Sequence, residues 1–307
     1  MLWGEARESV NFSSRLAYPT DNKYLSLLLW DLKNIPFITL RTRWDSGKIF
    51  GMELNFDAAM PGLPAGAMND YDWFFTDREW SHWSLSETTL RWGFSLSTSV
   101  DFRVIDSGPL SVHLGLAGLA DYWYWSDILK ELIYSISVND ITYPVPFDTS
   151  KKHEFRSSTE SNSFGKNAVD YEVGYFSLLS VFKLKIQNRL RFVEITARVG
   201  PTFVATHDFH KLRESGLGLR IYNWGVGLPW VDFSLAIGVH ITPRVSLSFR
   251  GEIAWMNDIV SDTHYYYGNF QYKNSAGAAG NSGFFRGGMS VLLSWKFSSL
   301  KNKSSKL

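Results

Sequence analysis

Two short acidic motifs, far apart in the chain, hold the residues most able to do chemistry. Asp70-Tyr71-Asp72-Trp73 follows a Gly/Pro-rich stretch, and Asp208-Phe209-His210 ends a segment of strict alternation. Three carboxylates and one imidazole are the parts needed to activate water. Amide cleavage requires a nucleophile; the chain has no cysteine, and no Ser/His/Asp order stands out. Water is the alternative, activated by a base poised near neutral pH, for which histidine is the usual choice. Neighbouring carboxylates such as Asp70 and Asp72 resist joint ionisation, so such a pair tends to keep a shared proton. The plainer reading is a set of solvated loop carboxylates, or a salt-bridge cluster at the rim of the fold.

Whatever positions these groups is built from alternating segments. On one parity the chain runs Leu90, Trp92, Phe94, Leu96, Thr98, Val100, Phe102, Val104; the other reads Arg91, Gly93, Ser95, Ser97, Ser99, Asp101, Arg103. That is a strand with one apolar and one polar face, far longer than the ~5–6 residues usual in a soluble sandwich. Val245 to Trp255, Met289 to Phe297 and Phe50 to Phe56 repeat the pattern. Long strands with charge on the non-apolar face fit a membrane β-barrel with a polar interior. Ten strands are expected, near 8–18, 25–44, 48–59, 86–104, 110–125, 168–186, 190–208, 219–241, 245–259 and 283–297. Tight turns at Asp45-Ser46-Gly47, Asp106-Ser107-Gly108-Pro109, Gln187-Asn188 and Thr242-Pro243-Arg244 alternate with long stretches at 60–85, 126–167, 209–218 and 260–282. Short turns at one end and long external loops at the other are the habit of outer-membrane barrels.

Composition agrees. Of 307 residues, 45% are apolar and 16% aromatic, with 13 Trp. Mean hydropathy is −0.14, and no run approaches the ~18 apolar residues of a membrane helix. A net charge of +1 argues against nucleic acid as a partner. The absence of cysteine suits export through an oxidising compartment. The start, Met1-Leu2-Trp3-Gly4-Glu5, has no signal-peptide character, so the chain is read as a mature form with an added Met. The expected fold class is all-β: one ten-stranded antiparallel transmembrane β-barrel over residues 1–297 with long extracellular loops, then a basic tail over 298–307 carrying Lys301, Lys303 and Lys306.

Met68-Asn69-Asp70-Tyr71-Asp72-Trp73, Asp208-Phe209-His210 and the Tyr-rich loop with the last hairpin, 265–297, resemble the omptin family of ten-stranded outer-membrane proteases. Omptins carry Asp-x-Asp-Trp in the second external loop and Asp-x-His in the fourth, and Asp70, Asp72, Asp208 and His210 match both. The resemblance implies an aspartyl-type endopeptidase with its site facing outside the cell. His210, made more basic by Asp208, would take a proton from a water lying between it and Asp70; Asp72 would share a proton with Asp70. Periodicity independently puts Thr206, Asp208 and His210 on the lumen parity of the seventh strand. The inward direction of Asp70 and Asp72 comes from the resemblance alone, because Pro61, Gly62, Pro64 and Gly66 interrupt the register before them.

The chain also departs from the family. Omptins that cut between basic residues carry acidic side chains at three substrate-binding positions, which fall here on Ser13, His82 and Thr206. Cleavage at paired basic residues is therefore not expected. The family's lipopolysaccharide site is replaced by aromatics: Tyr122-Trp123-Tyr124-Trp125 reads as an interfacial girdle, and a lipopolysaccharide requirement is not expected. His82, His207, His210 and His264 with Asp70 and Asp72 lack tight ligand spacing, so neither a metal nor a cofactor is anticipated. The expected partners are a peptide or protein substrate and the lipid bilayer, with the protein a monomer in the cell outer membrane. The competing class is a catalytically silent barrel acting as an adhesin or surface receptor. A diffusion pore is disfavoured, since ten strands enclose little beyond packed side chains.

Overall fold

Two-residue alternation sustained over many residues gives an antiparallel strand one face for an outer phase and one for a filled interior. The computed structural model of the chain is made of such strands. It describes residues 1–11, 24–46, 49–72, 82–134, 137–138, 141–142, 165–212, 218–242, 244–267, 271–273 and 279–295. In chain order the strands are β1 Leu2–Asn11, β2 Tyr24–Ile35, β3 Phe37–Ser46, β4 Phe50–Ala59, β5 Leu63–Asp72, β6 His82–Ser107, β7 Leu110–Tyr134, β8 Ser137–Val138, β9 Ile141–Thr142, β10 Val169–Gln187, β11 Arg191–His210, β12 Leu219–His240, β13 Val245–Tyr267, β14 Gln271–Lys273 and β15 Ala279–Trp295. Apart from the small β8–β9 hairpin, all belong to one sheet. Its path is β3-β4-β6-β5-β2-β1-β15-β13-β12-β11-β10-β7, with β14 on β13, and pairing of β6 with β7 closes it into a ring. Every pairing in that ring is antiparallel.

The path therefore holds twelve strands where ten segments are expected; the β6–β7 pairing closes the path from β6 to β7, and β3 and β4 join it through β6. The excess comes from two interruptions. Pro36, which has no N–H to give a ladder, separates β2 from β3, and the turn at 60–62 separates β4 from β5. The bounds also differ from the periodicity reading. The first strand lies at Leu2–Asn11 rather than near 8–18, and the expected loops at 60–85, 126–167 and 260–282 are partly strand: β5 reaches Asp72, β7 reaches Tyr134 and β13 reaches Tyr267. The tail at 298–307 lies outside the described residues.

Outward side chains are large and apolar around the ring. Ile38, Leu54, Phe94, Leu116, Leu178, Val199, Val226, Ile237, Phe249 and Val291 are all exposed. Inside, the lumen is packed in tiers. At the end with the short turns, Asp101 is fully buried and accepts two bonds from the Arg43 guanidinium at 2.8 and 2.9 Å, with His113 Nδ1 at 2.8 Å. Lys183 bridges Glu53 at 2.9 Å and Asp101 at 3.4 Å. Higher up, Arg198 pairs with Asp232 at 2.7 Å and Arg286 with Asp121 at 3.4 Å.

Above these charges an aromatic septum crosses the lumen. Trp30 stacks on Tyr171 (ring centroids 5.1 Å apart) and lies 6.2 Å from Trp125; Tyr175 lies 5.0 Å from Phe284 and 5.6 Å from Trp230. Trp30, Trp123, Trp125, Tyr171 and Trp230 are at most 1% exposed. Trp123 and Trp125 thus correct the girdle reading. They point inward, and only their neighbours Tyr122 and Tyr124 face out, donating to Glu172 at 2.7 Å and Asp170 at 3.2 Å. Leu90 is a second correction: it is buried in the lumen while Trp92 is exposed, because a register shift between them reverses the parity of β6.

Candidate active site

Asp70 and Asp72 end β5, and Asp208 and His210 end β11. Between those strands, on the shorter way round the ring, stand β6, β7 and β10. Four antiparallel steps return the chain to its starting direction, so β5 and β11 run the same way and finish at the same end of the barrel. All four side chains are buried inside it: Asp70 at 8%, Asp72 at 5%, Asp208 at 1% and His210 at 7% exposure.

On β5 this inward aim depends on a bulge. Ala65 is buried on odd parity, whereas Met68, Asp70 and Asp72 are buried on even parity. The switch falls at the register shift between Pro64 and Gly66, where Gly66 takes a φ of +129°. A Cβ added there would stand 2.6 Å from Asp31 Cβ, so the turn that aims the two aspartates needs a glycine. Asp70 pairs with Leu28 of β2 and Ser84 of β6, and Ser26 Oγ lies 3.5 Å from Asp70 Oδ1. On β11 no such device is needed. Even residues Thr202, Val204, Thr206, Asp208 and His210 are buried in succession while Phe203 is exposed. His210 Nε2 meets Asp208 Oδ2 at 2.7 Å, which fixes the imidazole.

The three matched substrate positions fare differently. Ser13 lies outside the described residues. His82 opens β6, its backbone opposite Asp72. Thr206 is buried directly below Asp208 on the same face, and its hydroxyl donates to Glu8 Oε1 at 2.9 Å. Glu8, on β1, also accepts from Asn223 Nδ2, and Asn223 Oδ1 accepts from Thr263 at 2.6 Å. Burial first, then the negative charge of Asp208, push the Glu8 carboxyl well above the usual carboxylate range, against the bonds from Thr206 and Asn223. Burial thus favours the protonated form of the Glu8 carboxyl beside Thr206.

Sequence reasoning misses two acids here. Glu8 falls at the edge of the expected first strand, where parity has no leverage. Asp127 falls in a stretch expected to be loop, yet it is fully buried on β7. Its Oδ1 accepts the N–H groups of Ala168 at 2.8 Å and Val169 at 2.7 Å. Burial raises the Asp127 carboxyl, opposed by the Ser86 hydroxyl, by these two amides and by the charge of His210. Among the described residues no cluster of three or more His, Asp or Glu is arranged to hold a metal ion.

Residues 1–119 match the model of the Omptin family. The whole chain is similar to the crystal structure of the outer membrane protease OmpT from Escherichia coli, with a TM-score of 0.78 and 13% identity over 96% of this chain and 93% of that one. It also aligns with outer-membrane expressed OmpT of Vibrio cholerae at 8% identity over 94% of this chain and 97% of that one, but a TM-score of 0.14 gives that match no weight. No curated protein matches the chain in sequence. At 13% identity the Escherichia coli likeness establishes the fold. That fold is a closed antiparallel β-barrel, and the family match is confined to residues 1–119.

Proposed function

We propose that this omptin-like barrel is an outer-membrane endopeptidase whose water is activated by the Asp208–His210 pair and steered by Asp70 and Asp72. The observation that carries the reading is a buried imidazole–carboxylate contact of 2.7 Å, inside the same ring and at the same end as two further buried aspartates. His210, oriented by Asp208, takes the proton from water. Asp70 positions that water, and Asp72 holds a proton shared with Asp70 that serves the oxyanion or the leaving amine. The chain's own residues suffice for each of these steps.

In this reading β2 with β3, and β4 with β5, each form one long stave, which gives a ten-stave transmembrane barrel. The exposed apolar belt faces lipid, the site faces the outside, and the protein works as a monomer on a peptide or protein substrate without a lipopolysaccharide requirement. Ser13, His82 and Thr206 line the substrate side chains. Because Glu8 beside Thr206 is held toward its neutral form, no charge is offered there to a basic side chain, and the preferred residue before the cut is uncharged.

The test is incubation of refolded protein with a diverse peptide library, with cleavage products read by mass spectrometry. Cleavage that vanishes in Asp70→Ala and in His210→Ala, with the barrel intact, supports the assignment. An intact barrel that cuts no member of the library marks a silent surface receptor instead.

A further inference from the structure

On the outside of the barrel, the neighbouring strands β13, β15 and β1 share a face that changes character with height. Rising from the short-turn end, Phe249, Ile253, Met289, Val291 and Leu293 are exposed. The outward residues of β13 and β15 carry no charge up to Trp255 and Phe285, which are register partners. Aromatic side chains at the upper edge of an apolar strip mark the level where hydrocarbon gives way to headgroups. The first charges of this face stand at that edge: Glu5, the register partner of Phe285, Arg7 two residues on, and Asp258 of β13.

Two local devices open a cleft between these charges. The register shift between Met256 and Ile259 inserts Asn257 and Asp258 on the outer side of β13, while Met256 and Ile259 stay buried. Facing them on β15 is Gly283, the register partner of Arg7. A Cβ on Gly283 would stand 2.4 Å from Asp258 Oδ1. Its absence leaves a cleft of about 440 Å³, lined by Glu5, Arg7, Trp255, Asn257, Asp258 and Phe285. The Arg7 guanidinium lies 3.8 Å from Asp258 Oδ1 and 3.8 Å from Glu5 Oε1. Neither separation is a hydrogen bond, and among the described residues the guanidinium makes none. The next acid along the face, Asp31, is the register partner of Glu5 and is held by Lys33 at 2.5 Å.

A lone anion at Arg7 would meet two carboxylates, and a lone cation at the carboxylates would meet the guanidinium. A ligand that carries both charges side by side satisfies all three groups. We propose that this cleft binds the headgroup of a phospholipid with a primary ammonium next to its phosphate. The phosphate sits on Arg7, whose N–H donors suit phosphate oxygens. The ammonium donates to Glu5 and Asp258, and the acyl chains run down over Trp255 and Phe285 onto the apolar strip. A trimethylated ammonium has no N–H to give these carboxylates, and an uncharged glycerol headgroup leaves them facing a net anion. The site rests on the lipid-facing belt proposed above and is independent of the peptidase.

The experiment inserts the refolded chain into nanodiscs of equimolar phosphatidylethanolamine, phosphatidylglycerol and phosphatidylcholine with identical acyl chains. Lipid that stays bound after transfer to detergent is identified by native mass spectrometry. Phosphatidylethanolamine should be retained over each of the others by roughly tenfold, the scale of one charged hydrogen bond. Arg7→Gln should lower its retention by a similar factor. Glu5→Gln combined with Asp258→Asn should erase the preference over phosphatidylglycerol, and Gly283→Val, which fills the cleft, should release the lipid. Equal retention of the three lipids overturns the proposal, as does tighter retention of phosphatidylglycerol. A preference that survives both the Glu5/Asp258 double variant and Gly283→Val overturns it too, since the lipid must then be held elsewhere. Protein that fails to enter the nanodisc rejects the lipid-facing belt and the site with it, whereas an inserted barrel without preference rejects the site alone.

Discussion

The two polar ends of the lumen use carboxylates in opposite ways. At the end with the short turns, acids and bases are matched: Asp101 lies between Arg43, His113 and Lys183, and Glu53 meets Lys183. At the other end five buried carboxyls, Glu8, Asp70, Asp72, Asp127 and Asp208, share the lumen with His210. There the contacts of Glu8 and Asp127 are hydroxyls, amides and backbone N–H groups. Matched charge fills space and ties staves together. An excess of acid around one imidazole does the reverse: it packs poorly and keeps protons within reach of exchange. The first arrangement suits a wall, the second a reaction.

The sharpest way to break this contrast is at the acidic end. Asp70→Ala or His210→Ala should lower peptide turnover by on the order of 10⁴-fold or more, since members of one catalytic unit fail together, while the refolded barrel keeps its far-UV circular dichroism and heat-modifiable gel mobility. Turnover within about tenfold of wild type would return these residues to ordinary polar packing. Next comes the matched end. Lys183→Met strands Glu53 and Asp101 beside a neutral side chain and should cost about 3–5 kcal/mol in urea unfolding, with kcat of the molecules that remain folded unchanged. A fall in kcat without loss of stability would mean the two ends are not separate.

How much of this was open to sequence reading depended on where parity survives. β11 alternates without interruption from Thr202 to His210, so the inward aim of Asp208 and His210 follows from the residues alone. Elsewhere the inner parity reverses before the strand reaches the acidic end: at Gly66 on β5, between Leu90 and Trp92 on β6, and between Met256 and Ile259 on β13. A bulge adds one residue, and one residue turns every later side chain to the other face. That is why Asp70 and Asp72 are placed only by resemblance; Trp123 and Trp125 are misread for another reason, since β7 keeps its odd residues inward from Ser111 to Trp125 and only their aromatic type suggests a girdle. Nothing in the spacing of Glu8 or Asp127 marks them as buried acids, because their partners come from strands distant in sequence.

Two smaller effects sharpen the comparison further. Thr206→Asp, alone or with Ser13→Glu, should add a charged hydrogen-bond partner of about 1.5–3 kcal/mol for a basic side chain, raising selectivity for Arg or Lys before the cut by roughly 10- to 150-fold in a library profile. A wild-type profile already dominated by paired basic residues would contradict the neutral floor inferred for Glu8. The mildest test is Glu8→Gln. Glu8 binds its proton more tightly in the folded than in the unfolded chain, so its contribution to stability is fully present below the unfolded value and declines as pH rises through the folded one. Wild type should therefore lose stability across that interval relative to Glu8→Gln, and parallel pH curves for the two proteins would show that Glu8 is not held neutral.

The stack of Trp30, Trp125, Tyr171, Tyr175, Trp230 and Phe284 turns what could have been a tube into a cup. Ions find no polar path through it, so the protein inserted in a planar bilayer should be electrically silent. Hydronium exchanged by the acidic tier must then enter and leave by the open mouth alone. If the proposed peptidase reading holds, a pH jump applied to the compartment beneath the cup would leave the rate unchanged, while the same jump above it would act at once, so that turnover would report on one side of the membrane only.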